Sequence, residues 1–138
     1  MTKSDLTRAK DKAWKEFSRY IRVKYTNDCG CAKCVTCNSL MHWKDLQAGH
    51  FIDGRGGAVL FNEKIVFPQC CKCNVFLKGN KVSYTLFMLK SHTQEEIAEF
   101  EGLKFLTKKR TVKDYKKIER TYRTKFFQRL KELGINEF

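Results

Sequence analysis

The chain has 138 residues, of which 28 are Lys or Arg and 15 are Asp or Glu, so its formal net charge is +13 at pH 7. A chain of this length can bury one modest core, and its charge suits a polyanionic partner such as nucleic acid or an anionic membrane. The longest apolar run is too short to cross a bilayer and the charged N-terminus does not resemble a signal peptide, so we expect a cytoplasmic protein without a membrane partner.

The first predicted element is a basic helix within residues 1–28, where apolar residues recur at the spacing of one helix face. These residues are Leu6, Ala9, Ala13, Phe17 and Tyr20. The segment carries eight basic and four acidic side chains, residues 29–103 are nearly neutral, and residues 104–138 carry twelve basic and four acidic ones. We predict a single domain, 1–138, in which basic helices at 1–28 and 93–138 flank a zinc-bound core at 29–92.

Two pairs of cysteines, in "CVTC" and "CCKC", form the strongest pattern of the core. The paired residues are Cys34, Cys37, Cys70 and Cys73. A reducing compartment favours metal binding over disulfides, and two such knuckles with four thiolates are typical of structural zinc. We therefore predict one structural Zn²⁺ per chain. Cys29, Cys31 and Cys71 are left over, and Cys31 is close enough to Cys34 in the sequence that an exchange of ligands stays open.

The segment between the knuckles predicts a hairpin. Glycines at 54, 56 and 57 mark a loop, and "HFI" (50–52) and "AVLF" (58–61) have strand-like composition on either side. The second knuckle is predicted to open a helix from about Cys71 to Leu77 that ends near Gly79. Knuckle, hairpin and helix together make a treble-clef arrangement, which is a scaffold and does not by itself identify a function.

Two further helices are predicted in the C-terminal segment. A short one begins after Thr93, with Glu96 at the capping-box position. A long one begins after Thr111, with Asp114 as its capping partner, and ends near Gly134. Its apolar stripe comprises Val112, Tyr115, Ile118, Tyr122, Phe126, Leu130 and Leu133. This stripe either packs on the N-terminal helix or forms the interface of a homodimer, and periodicity does not choose between the two.

His50 on the first predicted strand and Asn74 after the second knuckle indicate chemistry. If the hairpin lies against the knuckle helix, the two side chains face each other. A neutral imidazole removes a proton from water near pH 7, and an amide oxygen is a suitable ligand for Mg²⁺ or Mn²⁺. Together they suit the hydrolysis of a phosphodiester. The alternatives are a structural His50 and an Asn74 that helps to cap the helix.

The motifs "CVTC", "AGHF", "LFNE", "QCCKCN" and "KGNKVSY" occur in the order and near the spacing of the NinG/Rap family of phage recombination endonucleases, which this chain resembles. These are HNH-type nucleases that act on branched DNA, and the arrangement is also similar to phage endonuclease VII, a Holliday-junction resolvase. The resemblance implies an α+β fold with a zinc-stabilised ββα-metal (HNH, treble-clef-like) core flanked by N- and C-terminal helices. It also implies a phage protein in the cytoplasm of a bacterial host cell.

The resemblance assigns roles to individual residues. The four paired cysteines match the ligands of structural zinc, His50 matches the general base, and Asn74 matches a ligand of a catalytic Mg²⁺ or Mn²⁺. Asn62 of "LFNE" is placed with the catalytic residues because it orients the loop, and a simple turn asparagine is an equal alternative. Gln69 and Asn80 match the family pattern as supporting residues near the metal or at the helix end.

Gly49 departs from the usual HNH pattern, in which Asp or His often precedes the base. The NinG/Rap pattern shares the sequence "AGH", so the departure concerns the second ligand of the catalytic metal. The candidates for that ligand are Asp45, Asp53 and Glu63. The central Asn of HNH motifs would fall at Ile65, and this chain has Asn62 nearby instead.

The predicted function is a metal-dependent, structure-selective DNA endonuclease that hydrolyses branched recombination intermediates such as Holliday junctions, D-loops or flaps. Basic residues of the core and of the last helix are expected to bind branched or duplex DNA, although those of the last helix also suit an ordinary solvated surface. These residues are Arg55, Lys72, Lys78, Lys81, Lys116, Lys117, Arg120 and Arg123. The alternative is a zinc-stabilised nucleic-acid-binding module without catalysis, which leaves His50 and Asn74 unexplained.

Overall fold

The computed structural model of the protein describes residues 3–54 and 56–136. The helices in this part of the chain are α1 (Asp5–Lys24), α2 (Gly57–Leu60), α3 (Lys81–Leu89), α4 (Gln94–Gly102) and α5 (Val112–Leu133). The strands are β1 (Cys31–Lys33), β2 (Leu40–His42), β3 (Gln47–His50) and β4 (Val66–Gln69). The predicted mixed α+β composition with helices at both ends is confirmed. Among the described residues, no helix is both long and apolar enough to cross a membrane.

Helix α1 confirms the predicted N-terminal helix. It begins where the Ser4 side chain accepts a hydrogen bond from the backbone N–H of Thr7 at 3.1 Å. This cap satisfies one of the donors that every helix start leaves without an intrahelical partner. Ala9, Ala13 and Phe17 of the predicted stripe are buried, so the periodic face of α1 is the face that packs on the rest of the chain.

Helix α5 begins with the predicted capping box at Thr111 and ends at Gly134, whose φ of 72° is left-handed. Its apolar stripe packs on α1. The Tyr122 ring lies 4.8 Å from the Phe17 ring, and Phe126 is fully buried. Of the two arrangements that the periodicity left open, the structure therefore contains the packing on α1. A homodimer stays a prediction.

The four strands form two separate antiparallel pairs. β1 pairs with β2, and the turn that connects them carries the first knuckle. β3 pairs with β4, so that Gln47 lies opposite Gln69 and His50 opposite Val66. Because β4 ends directly before Cys70, the strand that carries His50 is hydrogen-bonded to the strand that leads into the second knuckle.

The predicted hairpin strands "HFI" and "AVLF" are wrong. β3 ends at His50, and Phe51 lies in a bend. The segment "AVLF" lies mostly in α2, where the adjacent residues Val59 and Leu60 are both buried in the interior. Neighbouring residues of a strand face opposite sides, so a strand with one buried face would expose one of them, whereas this helical turn buries both. The partner of β3 is β4, closer to the second knuckle than the composition suggested.

The helix predicted from Cys71 to Leu77 is a single π-helical turn, Lys72–Phe76, which we call the knuckle turn. The stop predicted at Gly79 is confirmed, since Lys78, Gly79 and Asn80 have φ values of 51°, 92° and 49°. Three left-handed residues in succession reverse the chain directly into α3 and keep the turn short.

Helix α3 was not predicted from the sequence, although it contributes to the main core. Tyr84 and Met88, one turn apart, are fully buried there with Phe17 and Ile21 of α1. The run "YTLFML" has apolar residues on all sides of the helix, and Leu86 is 60% exposed, so it lacks the polar face that marks an amphipathic helix. The short helix after Thr93 is confirmed as α4, with the predicted capping box.

Phe126 and Phe127 are adjacent on α5 and differ in exposure, 0% against 38%. Phe126→Ala removes a buried ring that packs on Trp43, with ring centroids 5.5 Å apart. We expect it to lower the free energy of unfolding by about 3–5 kcal/mol. Phe127→Ala is the matched control and should cost less than about 1.5 kcal/mol. Urea denaturation of the zinc-loaded protein measures both, and equal losses would contradict the packing of α5 on α1.

Candidate metal centre and active-site cleft

The four predicted zinc ligands converge on one point. Cys34 and Cys37 lie in the turn between β1 and β2, Cys70 follows β4, and Cys73 lies in the knuckle turn. Their Sγ atoms all lie within 4.8 Å of one another, and those of Cys37 and Cys70 are 3.8 Å apart. A tetrahedral site with Zn–S bonds of about 2.3 Å places its sulfurs about 3.8 Å apart. The four-cysteine cluster therefore fits a structural Zn²⁺.

Hydrogen bonds to the sulfurs also suit a metal-thiolate site. Asn80 Nδ2 donates to Cys73 Sγ at 3.5 Å, and the backbone N–H of Cys73 donates to Cys70 Sγ at 3.4 Å. The Thr36 hydroxyl lies 3.3 Å from Cys34 Sγ. Such contacts orient metal ligands and stabilise their charged form. Asn80 therefore lies beside the metal site, in one of the two supporting positions expected for it.

The thiols of the cluster differ in acidity. Burial acts to raise the pKa of Cys34, but hydrogen bonds from the Thr36 side chain and from the backbone lower it to about 6. Burial, together with hydrogen bonds to neighbouring thiols, raises the pKa of Cys70 to about 12. The crowded thiols therefore do not all ionise easily on their own. A divalent cation offsets the repulsion among four thiolates and so allows all four to be deprotonated.

The remaining cysteines lie apart from this cluster. Cys31 begins β1, and its Sγ is 3.9 Å from the carbonyl oxygen of Cys29. Cys71 is exposed. Within residues 3–54 and 56–136, the metal-ligating group consists of the four predicted cysteines, so the exchange of Cys31 for Cys34 is not observed.

His50 lies half-buried at the end of β3, and two helices hold its ring. Its Nε2 is 3.1 Å from the carbonyl oxygen of Leu60 in α2. Its ring stacks on Trp14 of α1, with centroids 5.1 Å apart and an interplanar angle of 19°. A neutral ring that donates Nε2–H to the Leu60 carbonyl keeps Nδ1 as its proton acceptor. This orientation is compatible with a general base.

Asn74 follows Cys73 in the knuckle turn, and its backbone N–H donates to the Cys70 carbonyl at 2.9 Å. Its side-chain Nδ2 donates to Oε1 of Gln47, at the start of β3, at 2.8 Å. That bond orients the amide and leaves Oδ1 as an acceptor for a cation. Because Cys73 belongs to the metal cluster, the cluster determines where Asn74 lies. This is the physical reason for an amide directly after the knuckle.

His50 and Asn74 border the same two adjoining surface clefts. The larger, of about 490 Å³, is also lined by Trp14, Ser18, Arg22, Leu46, Gln47 and Ala48. The smaller, of about 340 Å³, is also lined by Asp53, Gly54, Lys78, Gly79 and Lys81. We call the two together the candidate active-site cleft. The strand of His50 therefore lies against the knuckle turn, as the sequence led us to expect.

Asp53 and Asp45 differ in their position relative to this cleft. Asp53 lines it, and its Oδ1 pairs with Lys81 Nζ at 3.0 Å. Asp45 is exposed at the end of a 3-10 turn, Trp43–Asp45, and is not among the described residues that line the cleft. Of these two acidic candidates, Asp53 is the one placed beside His50 and Asn74.

Glu63, the third candidate, is occupied elsewhere. Its carboxylate accepts a hydrogen bond from the Tyr122 hydroxyl at 2.8 Å and pairs with Lys24 and Lys125, each at 3.4 Å. Burial acts to raise the pKa of Glu63, but these three partners lower it. The residue therefore ties the chain after α2 to both terminal helices. The structure does not support it as a ligand of a catalytic metal.

Gly49 is required by the packing of Gln69. A Cβ at Gly49 would lie 1.8 Å from Oε1 of Gln69. Gln69 is fully buried, and its Nε2 donates to Thr36 Oγ1 at 3.1 Å and to the Gly79 carbonyl at 2.9 Å. These bonds prevent it from moving aside. The Asp or His that precedes the base in many HNH enzymes is therefore sterically excluded here.

Asn62 lies in the turn after α2. Its Oδ1 accepts a hydrogen bond from the backbone N–H of Lys64 at 3.0 Å, which is an Asx turn. It is not among the described residues that line the candidate active-site cleft. Asn62 therefore acts as a turn asparagine that shapes the loop after Leu60. The Leu60 carbonyl in turn holds His50.

Lys81 and Lys78, both predicted to bind DNA, line the cleft in different ways. Lys81 Nζ donates to the carbonyls of His50 and Phe51, both at 2.8 Å, and pairs with Asp53 at 3.0 Å. These three acceptors match the three donors of an ammonium group. Lys81 therefore holds the end of β3, whereas Lys78 is exposed at the rim of the cleft.

The other predicted DNA-binding residues that the structure describes are not part of the cleft lining. Lys72 is exposed on the knuckle turn, and Arg55 lies outside the described residues. Three residues of α5 are exposed: Lys116, Lys117 and Arg120. Arg123 instead pairs with Glu16 at 3.5 Å and Glu119 at 3.0 Å, so its charge is largely balanced.

Trp14 and Gln47 contact the two candidate site residues directly, and the sequence did not single them out. Trp14 supports His50, and Gln47 orients Asn74, in each case across a long stretch of chain. Neither contact leaves a local signal, because no motif spacing connects the residues involved. The nearest indication in the sequence was that Trp14 lies three positions before Phe17 of the predicted apolar stripe.

Comparison with known families places most of the chain within a family model. A family model described as "NinG: Bacteriophage Lambda NinG protein" matches residues 3–132. This range includes both knuckles, the candidate active-site cleft and almost all of the two terminal helices. No curated protein and no solved structure matches the chain.

Cys73→Ser should remove zinc and unfold the knuckle turn together with the β1–β2 turn, because the binding energy of a structural site, about 10 kcal/mol or more, is folding energy. Cys71→Ser is the matched control, since Cys71 is exposed and outside the cluster. Elemental analysis of wild-type protein and of this control should find about one zinc per chain. A folded Cys73→Ser protein with its full zinc content would contradict the four-cysteine assignment.

Gly49→Ala should lower the free energy of unfolding by about 1–3 kcal/mol, because the added Cβ overlaps the immobile amide of Gln69. Gly102→Ala is the control, since a Cβ at Gly102 meets nothing within 4 Å and its φ of −64° is helical. That change should be neutral or slightly stabilising. Thermal unfolding of the two variants compares them, and a neutral Gly49→Ala would show that Gln69 is not held as described.

Proposed function

The chain belongs to the Bacteriophage Lambda NinG family, and from this membership together with the shared cleft of His50 and Asn74 we propose that it is a metal-dependent DNA endonuclease. Its substrates are branched recombination intermediates, namely Holliday junctions, D-loops or flaps. The observation that carries the proposal is the placement of an imidazole, an amide and the Asp53 carboxylate around one cleft. In this proposal β3, β4 and the knuckle turn constitute a ββα-metal (HNH-type) core.

His50 acts as the general base. Its Nδ1 accepts a proton from a water molecule, and the oxygen of that water attacks the phosphorus of the scissile phosphodiester. The Leu60 carbonyl that accepts Nε2–H stabilises the imidazolium that forms. The face of Trp14 favours the same positive charge, because an aromatic face attracts a cation stacked on it.

Asn74 and Asp53 would hold a catalytic Mg²⁺ or Mn²⁺. Carboxylate and amide oxygens are the ligands that these cations prefer, and Gln47 occupies the nitrogen side of the Asn74 amide, which leaves the oxygen side for the metal. A cation bound there supplies positive charge that stabilises the leaving oxygen of the phosphodiester. Gly49 provides no side chain, so Asp53 takes the place of the ligand that precedes the base in many HNH enzymes.

The zinc cluster has a structural role in this proposal. It fixes the knuckle turn, and with it Asn74, against β3 without contributing to the chemistry. Lys78 at the rim of the cleft and Lys72 on the knuckle turn are placed to contact phosphates near the scissile bond.

A second candidate function is a zinc-stabilised nucleic-acid-binding module without catalysis. The observation that favours it is the environment of His50, since a ring nitrogen bonded to a carbonyl and a ring stacked on Trp14 are also what a structural histidine has. The two functions differ in one respect: binding without chemistry does not depend on His50 Nδ1 or on the oxygen of Asn74.

His50→Ala should reduce the cleavage of a synthetic four-way junction by about 10²–10⁴-fold, because it removes the general base. Asn74→Ala should also reduce cleavage, and high Mn²⁺ should restore part of it, because one metal ligand among several is lost. Both variants should keep their zinc and their affinity for the junction. His92→Ala is the control, since His92 is bonded to Met88 at the end of α3 and does not line the cleft.

Single-turnover cleavage on denaturing gels, with Mg²⁺ or Mn²⁺, measures these effects. Equal cleavage by wild-type and His50→Ala protein would remove His50 as the base. Tight junction binding by wild-type protein without any cleavage would favour the binding module.

A further inference from the structure

A second cleft, of about 310 Å³, adjoins the helix that holds His50. Its lining consists of Leu6, Lys10, Gly57, Leu60, Lys108, Lys109, Arg110 and Tyr115. We call it the basic cleft. Leu60 belongs to both sites, because its side of α2 borders the basic cleft while its carbonyl oxygen accepts from His50 Nε2 at 3.1 Å.

The charge of the basic cleft is unbalanced. Four of the eight described lining residues are cationic and none is acidic. Within the described parts of the chain, Lys10, Lys108 and Lys109 have no carboxylate within salt-bridge distance. The neighbouring cleft between α1 and α5 differs, since Asp5 and Glu119 line it along with its basic residues.

The segment that carries these lysines is held rigidly against α2. The Lys108 carbonyl occupies the space beside Gly57, where a Cβ would lie 1.9 Å from its oxygen. Arg110 donates to the Gly57 carbonyl at 2.7 Å, and its guanidinium lies 5.2 Å from the centre of the Phe61 ring. Arg110 therefore anchors the segment, while Lys108 and Lys109 remain exposed. The basic cleft is a built feature of the fold and not a chance group of surface lysines.

We infer that the basic cleft binds the phosphate backbone of a duplex DNA arm that continues from the scissile bond, an inference that rests on the proposed endonuclease function. α2, a single helical turn, borders the basic cleft and also holds His50 through the Leu60 carbonyl, so one duplex arm can reach both sites. Three ammonium groups over an apolar floor of Leu6, Leu60 and Tyr115 suit a sugar-phosphate backbone.

The outer face of α5 was also expected to contact DNA, and that expectation stays a prediction. Arg123 is paired with two glutamates there, and Glu119 lies beside Lys116 in the neighbouring cleft. Lys10, Lys108 and Lys109 form a further group of unbalanced charge next to α2, the helix whose Leu60 carbonyl accepts from His50.

The test is the salt dependence of junction binding. A triple variant, Lys10→Gln, Lys108→Gln and Lys109→Gln, is compared with a control of equal charge loss at three exposed lysines, Lys33→Gln, Lys90→Gln and Lys131→Gln. Fluorescence anisotropy measures the affinity of each full-length, zinc-loaded protein for a synthetic four-way junction between 50 and 200 mM NaCl, without added Mg²⁺ or Mn²⁺. Each phosphate contact contributes about 0.9 to the slope of log affinity against log salt.

The slope of log affinity against log salt should be smaller by about 2–3 for the cleft variant than for wild-type protein. The ratio of wild-type affinity to variant affinity should therefore fall about 40-fold between 50 and 200 mM salt. The control should keep the wild-type slope to within about one contact. A cleft variant that matches the control, or wild-type protein that does not bind the junction, would overturn the inference. Loss of slope in a protein that binds but never cleaves would support the basic cleft and refute the endonuclease.

Discussion

The convergence of four cysteine sulfurs on one point is the constraint on which the rest of the structure depends. These sulfurs join the β1–β2 turn, the end of β4 and the knuckle turn, three short segments that have little secondary structure of their own. A strand pair of this size is at best marginally stable alone, so a zinc ion bound by these sulfurs would provide energy that a small core does not. Because Asn74 follows Cys73 directly, the same bonds determine the position of the proposed catalytic amide.

Gln69 extends that constraint to the strand of His50. Its buried amide donates to Thr36 in the first knuckle and to the carbonyl of Gly79 at the end of the knuckle turn, and its oxygen lies against Gly49. One side chain thus connects both knuckles to the residue before the proposed base. The packing of Gln69 leaves no room for a side chain at position 49. For this steric reason, no metal ligand can stand directly before His50.

Local signals in the sequence were sufficient for some elements and insufficient for others. The cysteine spacing identified the metal cluster, and Thr111 and Gly134 identified the ends of the last helix, because these features are encoded within a few neighbouring residues. The strand assigned to "AVLF" was wrong because the burial of both Val59 and Leu60 is a tertiary effect. Trp14 and Gln47 escaped notice for the same reason, since each reaches the cleft only when distant segments meet.

If all four sulfurs of the cluster bind a single zinc ion, that ion holds the knuckle turn against β3. Zinc K-edge X-ray absorption of the full-length, zinc-loaded protein measures this coordination. We expect a shell of four sulfurs at about 2.3 Å. A shell in which nitrogen or oxygen at about 2.0–2.1 Å replaces one or more sulfurs would contradict it.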